Sequence, residues 1–208
     1  MIITYYGLQF VKIQQGDLAI AYNPISAASE HGAASRFGAD IALISANHPD
    51  FNGVENVSHG DKVPFAITGP GEYETKDVYI RGLETYTDYG GTRRLNTIYY
   101  VIMDGVCLCF LGALGVPQLG EKVREAIGEI DILFVPIGGK GVLSPAEAHK
   151  FSLTFAPHII IPMQYDTATL SQFLKEAGEE KATPLEKLTL KKKDLEEKEG
   201  EVVVLKET

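Results

Sequence analysis

His48 and Asp50 stand two residues apart in Asn47-His48-Pro49-Asp50-Phe51-Asn52-Gly53, directly after the apolar run Asp40-Ile41-Ala42-Leu43-Ile44-Ser45. An imidazole and a carboxylate at that spacing have three uses. They can contribute to a metal site, work as a general acid and base in a polar pocket, or simply hydrogen-bond the turn that carries them. The turn formers place this stretch at the C-terminal end of a buried strand, the edge of an α/β sheet where ligands usually sit.

No other residues complete such a site by spacing. His31 and His59 fall in polar stretches, His149 on an expected helix and His158 just before an expected strand, so each reads as a surface or hydrogen-bonded histidine. Cys107 and Cys109 lie at i and i+2 of a strand and share a face; two adjacent strand positions cannot close a tetrahedral site, and core packing accounts for them. Gly138-Gly139-Lys140-Gly141 lacks the spacing and the Lys-Ser/Thr ending of a phosphate-binding loop and reads as a rim loop. Arg93-Arg94, beside Gly90-Gly91, is the one paired-arginine feature and can meet an anionic ligand or partner or simply stay exposed. Ten tyrosines and no tryptophan suit half-buried sheet positions, or a cleft that uses both an apolar ring and a polar tip.

The elements that must hold these residues follow from alternation and punctuation. Strands are expected over residues 2–6, 10–13, 18–22, 40–45, 65–67, 78–83, 96–102, 106–111, 132–136, 159–162 and 202–205, with a turn leading into a strand at Gly69-Pro70-Gly71-Glu72-Tyr73-Glu74. Asp104-Gly105 is a hairpin signal. Helices are expected over 120–127, from Ser144-Pro145-Ala146-Glu147 to before Pro157, and over 170–177 with Gly178 ending it. Ser35 to Ala39 reads as short and irregular. Strands come first and helices interleave later, which predicts an α/β fold of two mixed β-sheets flanked by helices.

Composition limits the function classes. The 208 residues suit one domain, here taken as 1–208 with two related halves near 1–100 and 101–208. A formal charge of −9 and the lack of a basic stripe argue against nucleic acid as a partner. No apolar run approaches the ~18 residues of a membrane helix, and two cysteines form no disulfide framework, so a reducing cytoplasm is the expected setting. Lys191-Lys192-Lys193 and Glu196-Glu197 read as a solvated face.

Several segments, taken in order, resemble the metallo-β-lactamase fold in its small single-domain branch of metal-dependent hydrolases related to the ascorbate-6-phosphate lactonases. They are Ile3-Thr4-Tyr5-Tyr6-Gly7, the 39–50 strand and turn, Gly69 to Glu74, Asn96-Thr97-Ile98-Tyr99-Tyr100, Leu111-Gly112-Ala113-Leu114-Gly115, Val135-Pro136-Ile137-Gly138-Gly139 and Ile161-Pro162-Met163-Gln164-Tyr165. The resemblance implies a four-layer αβ/βα sandwich with its site at one edge between the sheets.

It also implies a binuclear zinc, manganese or iron site that acidifies a water. The family's ligand positions fall here on Ala46, His48, Asp50, Phe51, Thr87 (followed by Asp88), Ala113 and Gln164. Only His48 and Asp50 keep a competent ligand, and Gln164 is a neutral oxygen donor. Two supporting positions have become Leu8 and Asn23. A transition metal needs three or four good ligands, so the expectation is no cofactor and a non-catalytic binding, scaffolding or regulatory module. Its residual pocket would be His48, Asp50, Gln164, Thr87 and Asp88. The alternative is an atypical hydrolase of a phosphoester or lactone, holding zinc or manganese on His48 and Asp50. An unidentified protein partner or a small anionic ligand, and homo-oligomerisation, complete the expectation.

Overall fold

The computed structural model describes residues 1–32 and 37–208. The irregular stretch expected over Ser35–Ala39 lies partly outside the described residues; from Phe37 to Ala39 it is irregular.

Alternating apolar side chains build a first mixed sheet. Strands β1 (Ile2–Tyr5), β2 (Val11–Gln15) and β3 (Leu18–Tyr22) run antiparallel, then β4 (Ile41–Leu43) and β5 (Phe65–Ile67) continue in parallel. The second sheet opens with β6 (Gly71–Thr75), β7 (Val78–Thr87), β8 (Arg94–Met103) and β9 (Val106–Phe110), all antiparallel, the last pair closed by the Asp104-Gly105 turn. Helix α1 (Glu121–Ala126), β10 (Ile132–Pro136), α2 (Pro145–Leu153), β11 (Ile159–Met163) and α3 (Thr167–Ala177) then add parallel strands and helices. In the tail, β12 (Leu188–Thr189) returns to pair with β1, and β13 (Glu201–Val202) pairs with β11. The orders are β12-β1-β2-β3-β4-β5 and β13-β11-β10-β9-β8-β7-β6. The chain passes from one sheet to the other between Ile67 and Gly71, and the tail ties both.

The inner faces pack as a layer of branched and aromatic side chains. Tyr22, Phe110 and Phe134 stack with centroids 4.2 Å apart at each step. Burial of this layer is the main drive for closing two sheets on one another. A second apolar cluster lies between the second sheet and its helices and includes Cys109, Phe151, Ile160 and Phe173. On the first sheet's outer face, Phe10, Ala21, Ala42 and Val57 are covered by Tyr6, Phe37 and Val54. Among the described residues that cover is loops and the single 3-10 turn Val54–Val57. The α/β sandwich is therefore thick on one side and thin on the other.

Local signals explain the helix ends. Ser144 begins α2 with Pro145 at its first position and Glu147 closing a capping box. Helix α3 starts three residues before the expected Leu170. Asp166 caps it by accepting the Thr169 N–H, and its first turn, Thr167-Ala168-Thr169, carries no apolar period. Gly178 ends it in the left-handed conformation. One charged residue departs from the expected solvated face: Lys192 bonds both oxygens of buried Asp131 at 2.6–2.7 Å, and so pins the tail to the second sheet. The expected strand over 202–205 is paired as a strand only at Glu201–Val202, and then continues by isolated bonds such as Leu185 N–H to Val204 O. No helix among the described residues is long and apolar enough to cross a membrane.

Candidate functional site

Loops leaving β1, β4, β7, β9, β10 and β11 meet at one edge of the sandwich. The turn after β4 brings Ala46, His48, Asp50 and Phe51 there, the loop after β9 brings Ala113, and Val142 follows the 138–141 loop beyond β10. Ala46, Phe51, Ala113 and Val142 are buried in contact as one small apolar cluster, and Tyr89 packs on it from above. The Phe51 and Tyr89 rings lie 4.9 Å apart, and His48 meets Tyr89 edge-on at 4.9 Å. The cluster is closed by contacts that need no cation.

The polar groups around it are paired inward. Asp50, 5% exposed, accepts hydrogen bonds from the Ser29 hydroxyl at 2.6 Å and the Tyr89 hydroxyl at 2.6 Å. The Asp50 N–H donates to His48 Nδ1 at 3.2 Å, and that nitrogen lies 3.5 Å from the Asp50 carboxylate. Burial lowers the His48 pKa, with the Asp50 charge opposing it. Burial also raises that of Tyr89, helped by the carboxylate it bonds. Tyr89 therefore stays a neutral hydroxyl donor and His48 tends to the neutral ring. Gly90, at φ +71°, lets the chain pass His48; a Cβ there would sit 2.8 Å from Nε2.

Thr87 is buried beneath this turn, accepting the Tyr89 N–H at 3.1 Å and facing Gly141 O at 3.4 Å. Asp88 is not brought to His48. It is exposed, and it faces a separate groove with Glu84, Tyr86 and Arg93, on the opposite side of the chain from buried Thr87, as alternation at the end of β7 places it. Ala113 is held from behind, its N–H donating to Asn96 Oδ1 at 2.8 Å. Gln164 lies at the end of β11 in a left-handed conformation, φ +52°; its N–H bonds Leu8 O at 2.6 Å and its side-chain oxygen accepts from Gln9 Nε2 at 2.6 Å. Two adjacent clefts run past these groups. One is lined by Leu8, Gln164 and Tyr165, the other by Ser29, His48 and Asp50; Tyr89, His31 and Lys140 border both. Arg94 reaches the Asn47 carbonyl at 2.7 Å beside them, while Arg93 stacks on Tyr86.

A metal pair does not fit this donor set. Among the described residues no group of three or more His, Cys, Asp or Glu side chains is placed to hold a cation. The two surviving candidates are oriented toward Tyr89, Ser29 and the loop backbone, and the apolar cluster fills the space that further ligands would need. The sequence counts Tyr89 only among its ten tyrosines and does not single out Ser29, Gln9 or Val142. The Gly90-Gly91 pair after Tyr89 was the one local signal for a turn there.

Comparison with known proteins matches this arrangement to a family. Residues 2–164 match the model of the beta-lactamase superfamily domain. A Lysinibacillus sphaericus protein named a metal-dependent hydrolase is 24% identical over 197 residues, spanning 80% of this chain and 86% of its own. A Thermococcus onnurineus protein of the same name is 35% identical over 69 residues, 33% of this chain and 31% of its own length, so that match covers only about a third of the relative. The crystal structure of a Thermotoga maritima protein, described as a zinc-dependent hydrolase candidate of the metallo-β-lactamase superfamily, superposes with a TM-score of 0.76 at 28% identity, over 98% of this chain and 97% of that one.

Proposed function

The chain belongs to the beta-lactamase superfamily, and from that premise we propose that it is a non-catalytic binding module whose metal site has been replaced by packing. The observation that carries this reading is the buried cluster Ala46, Phe51, Ala113 and Val142, sealed by the Tyr89–Asp50 hydrogen bond. Ala113 at a position where a carboxylate is implied removes one buried negative charge, Ala46 and Phe51 replace neutral imidazoles by packing, and hydroxyls satisfy the remaining Asp50, so the apo fold needs no metal. The clefts past Gln164, His48 and Lys140 stay open and supply a binding surface for a small ligand or a protein partner.

Hydrolysis of a phosphoester or lactone is the second reading. It rests on the names of the relatives and on His48 standing 3.5 Å from Asp50. The two readings separate in one experiment. Purified protein is assayed with phosphomonoesters, phosphodiesters and lactones in the presence of zinc, manganese or iron, beside His48→Ala. The module reading expects the same background rate for both proteins. Turnover that His48→Ala and a chelator both abolish would establish the hydrolase instead.

A further inference from the structure

Glu207 is a carboxylate held in place with nothing donated to it. A bridge between Tyr5 and Glu207, and the bond from the Thr208 N–H to Tyr5 O at 3.0 Å, lay the tail beside the end of β1. There the carboxylate rests on the backbone of Gly7, where a Cβ would stand 2.5 Å from its Oε1. Gly7, at φ +92°, is the residue that makes this room. No N–H or O–H among the described residues answers the carboxylate. Lys206 pairs with Glu186, and the Tyr5 and Tyr165 hydroxyls donate to Leu8 O at 2.8 Å and Leu205 O at 2.6 Å. Both hydroxyls are close enough to meet the charge: burial raises the Tyr165 pKa, and the Glu207 carboxylate adds to it.

The surroundings suit a cation. Tyr5, Gly7, Leu8, Gln164, Tyr165 and Glu207 line one cleft of about 430 Å³, room for a small organic molecule. The half-buried Tyr165 ring stacks on Tyr5 with centroids 5.8 Å apart and forms an aromatic wall. A ring face and a carboxylate side by side attract an ammonium ion. Three further titratable groups border the cleft: Asp166, Lys140 and His31. Bonds from Thr169 at the start of α3 hold the Asp166 carboxyl low, and the nearby Lys140 charge adds to them. Lys140 is thereby set against Asp166, and Glu207 is left as the uncompensated charge. His31 sits on the border shared with the His48 cleft. These carboxylates oppose the small anionic ligand expected from the sequence.

We propose that this cleft binds a small organic amine as its ammonium ion, which donates an N–H to Glu207 and lies against the Tyr165 ring. The inference rests on the binding-module reading and adds the ligand's chemical class to it. Gly7 acts as a positioning residue, because any side chain there would displace the Glu207 carboxylate.

The test is a titration of the 15N-labelled full chain, at low ionic strength, with butylammonium, tetramethylammonium and, as a neutral control, butanol. The backbone amides of Gly7 and Thr208 are followed by NMR beside that of Gly105 in the distant β8–β9 turn. Saturable shifts at Gly7 and Thr208 with butylammonium, none with butanol and none at Gly105 are expected. Tetramethylammonium keeps the charge without an N–H and should bind roughly threefold more weakly or worse. Glu207→Gln should weaken butylammonium by about fivefold with its melting temperature unchanged, because the exposed carboxylate bonds nothing within the chain. Glu74→Gln, which removes another exposed carboxylate on β6, should leave binding as it is. No saturable shift with butylammonium, equal binding of butanol or tetramethylammonium, or equal effects of Glu207→Gln and Glu74→Gln overturns the inference. A metal-free, inactive protein that binds no ammonium overturns this inference alone, whereas metal-dependent turnover overturns the module reading.

Discussion

Tyr89 donates its hydroxyl hydrogen bond to Asp50 across 2.6 Å, joining the turn after β7 to the turn after β4. The bond occupies one of the two competent side chains left at the positions that the resemblance implies for metal ligands, and it lays the Tyr89 ring over Phe51. One contact therefore both satisfies a buried charge and covers the apolar cluster.

Tyr89→Phe keeps the ring and removes the donor. A hydrogen bond to a buried charged group contributes about 1.5–3 kcal/mol, so the variant should be less stable by about that amount, read as a lower urea midpoint at unchanged m-value. Tyr89→Ala, which also uncovers Phe51, should cost more. A Phe variant as stable as the parent would show that Ser29 alone satisfies Asp50.

Asp40 predicts an acid-sensitive contribution. Burial raises its pKa, but bonds from Lys76, the Ala19 N–H and Lys62 outweigh it and hold the carboxyl at about 2. A folded pKa below the unfolded one gives stability that is complete above about pH 4 and lost as pH falls through about 2. With both lysines half exposed, solvent screening holds the contribution to about 1 kcal/mol. Denaturation of Asp40→Asn should track the parent at low pH and fall below it near neutrality; a constant gap at all pH values would contradict the pairing.

The two thiols should differ in reactivity. Burial pushes the Cys109 thiol up to about 12, while Cys107 is only partly buried. Alkylation of the native protein near pH 8 should modify Cys107 alone, and both residues after unfolding. Peptide mapping by mass spectrometry reads the result, and native labelling of Cys109 would show that the helix-side core opens.

Rebuilding the ligand set should reverse the metal behaviour. Ala46→His, Phe51→His, Thr87→His, Ala113→Asp and Gln164→His together put polar groups into a packed apolar site, so the metal-free variant should lose about 2 kcal/mol or more. Zinc should then raise its melting temperature while leaving the parent unchanged. A rebuilt chain indifferent to zinc would mean that the surrounding loops, not the lost ligands, exclude the cation.

Local chemistry made much of the fold readable. Residues 65–67 and 132–136 form strands as their apolar runs predict, and Ser144-Pro145-Glu147 starts a helix as its capping pattern predicts. The site was readable only as a set of positions. Ala46, Phe51 and Ala113 revealed missing ligands, but their contact with Val142 and Tyr89 depends on loops from four different strands. Nothing in the sequence says that Tyr89, 39 residues from Asp50, donates to it. Nor does it say that Gln9 bonds Gln164 across 155 residues. Asp88 was placed beside Thr87 by adjacency, but neighbours at the end of a strand point to opposite sides, and Asp88 faces another groove. Lys192 looked solvated within a lysine run because its buried partner, Asp131, lies 61 residues away.

The most direct test of the central claim is the metal content of the full chain expressed with zinc, manganese and iron supplied and purified without chelators or an affinity tag. Packing in place of ligands predicts less than about a tenth of an equivalent of any of these metals per chain. About one equivalent, lost on His48→Ala, would contradict the account and make the protein a metal-binding member of its superfamily.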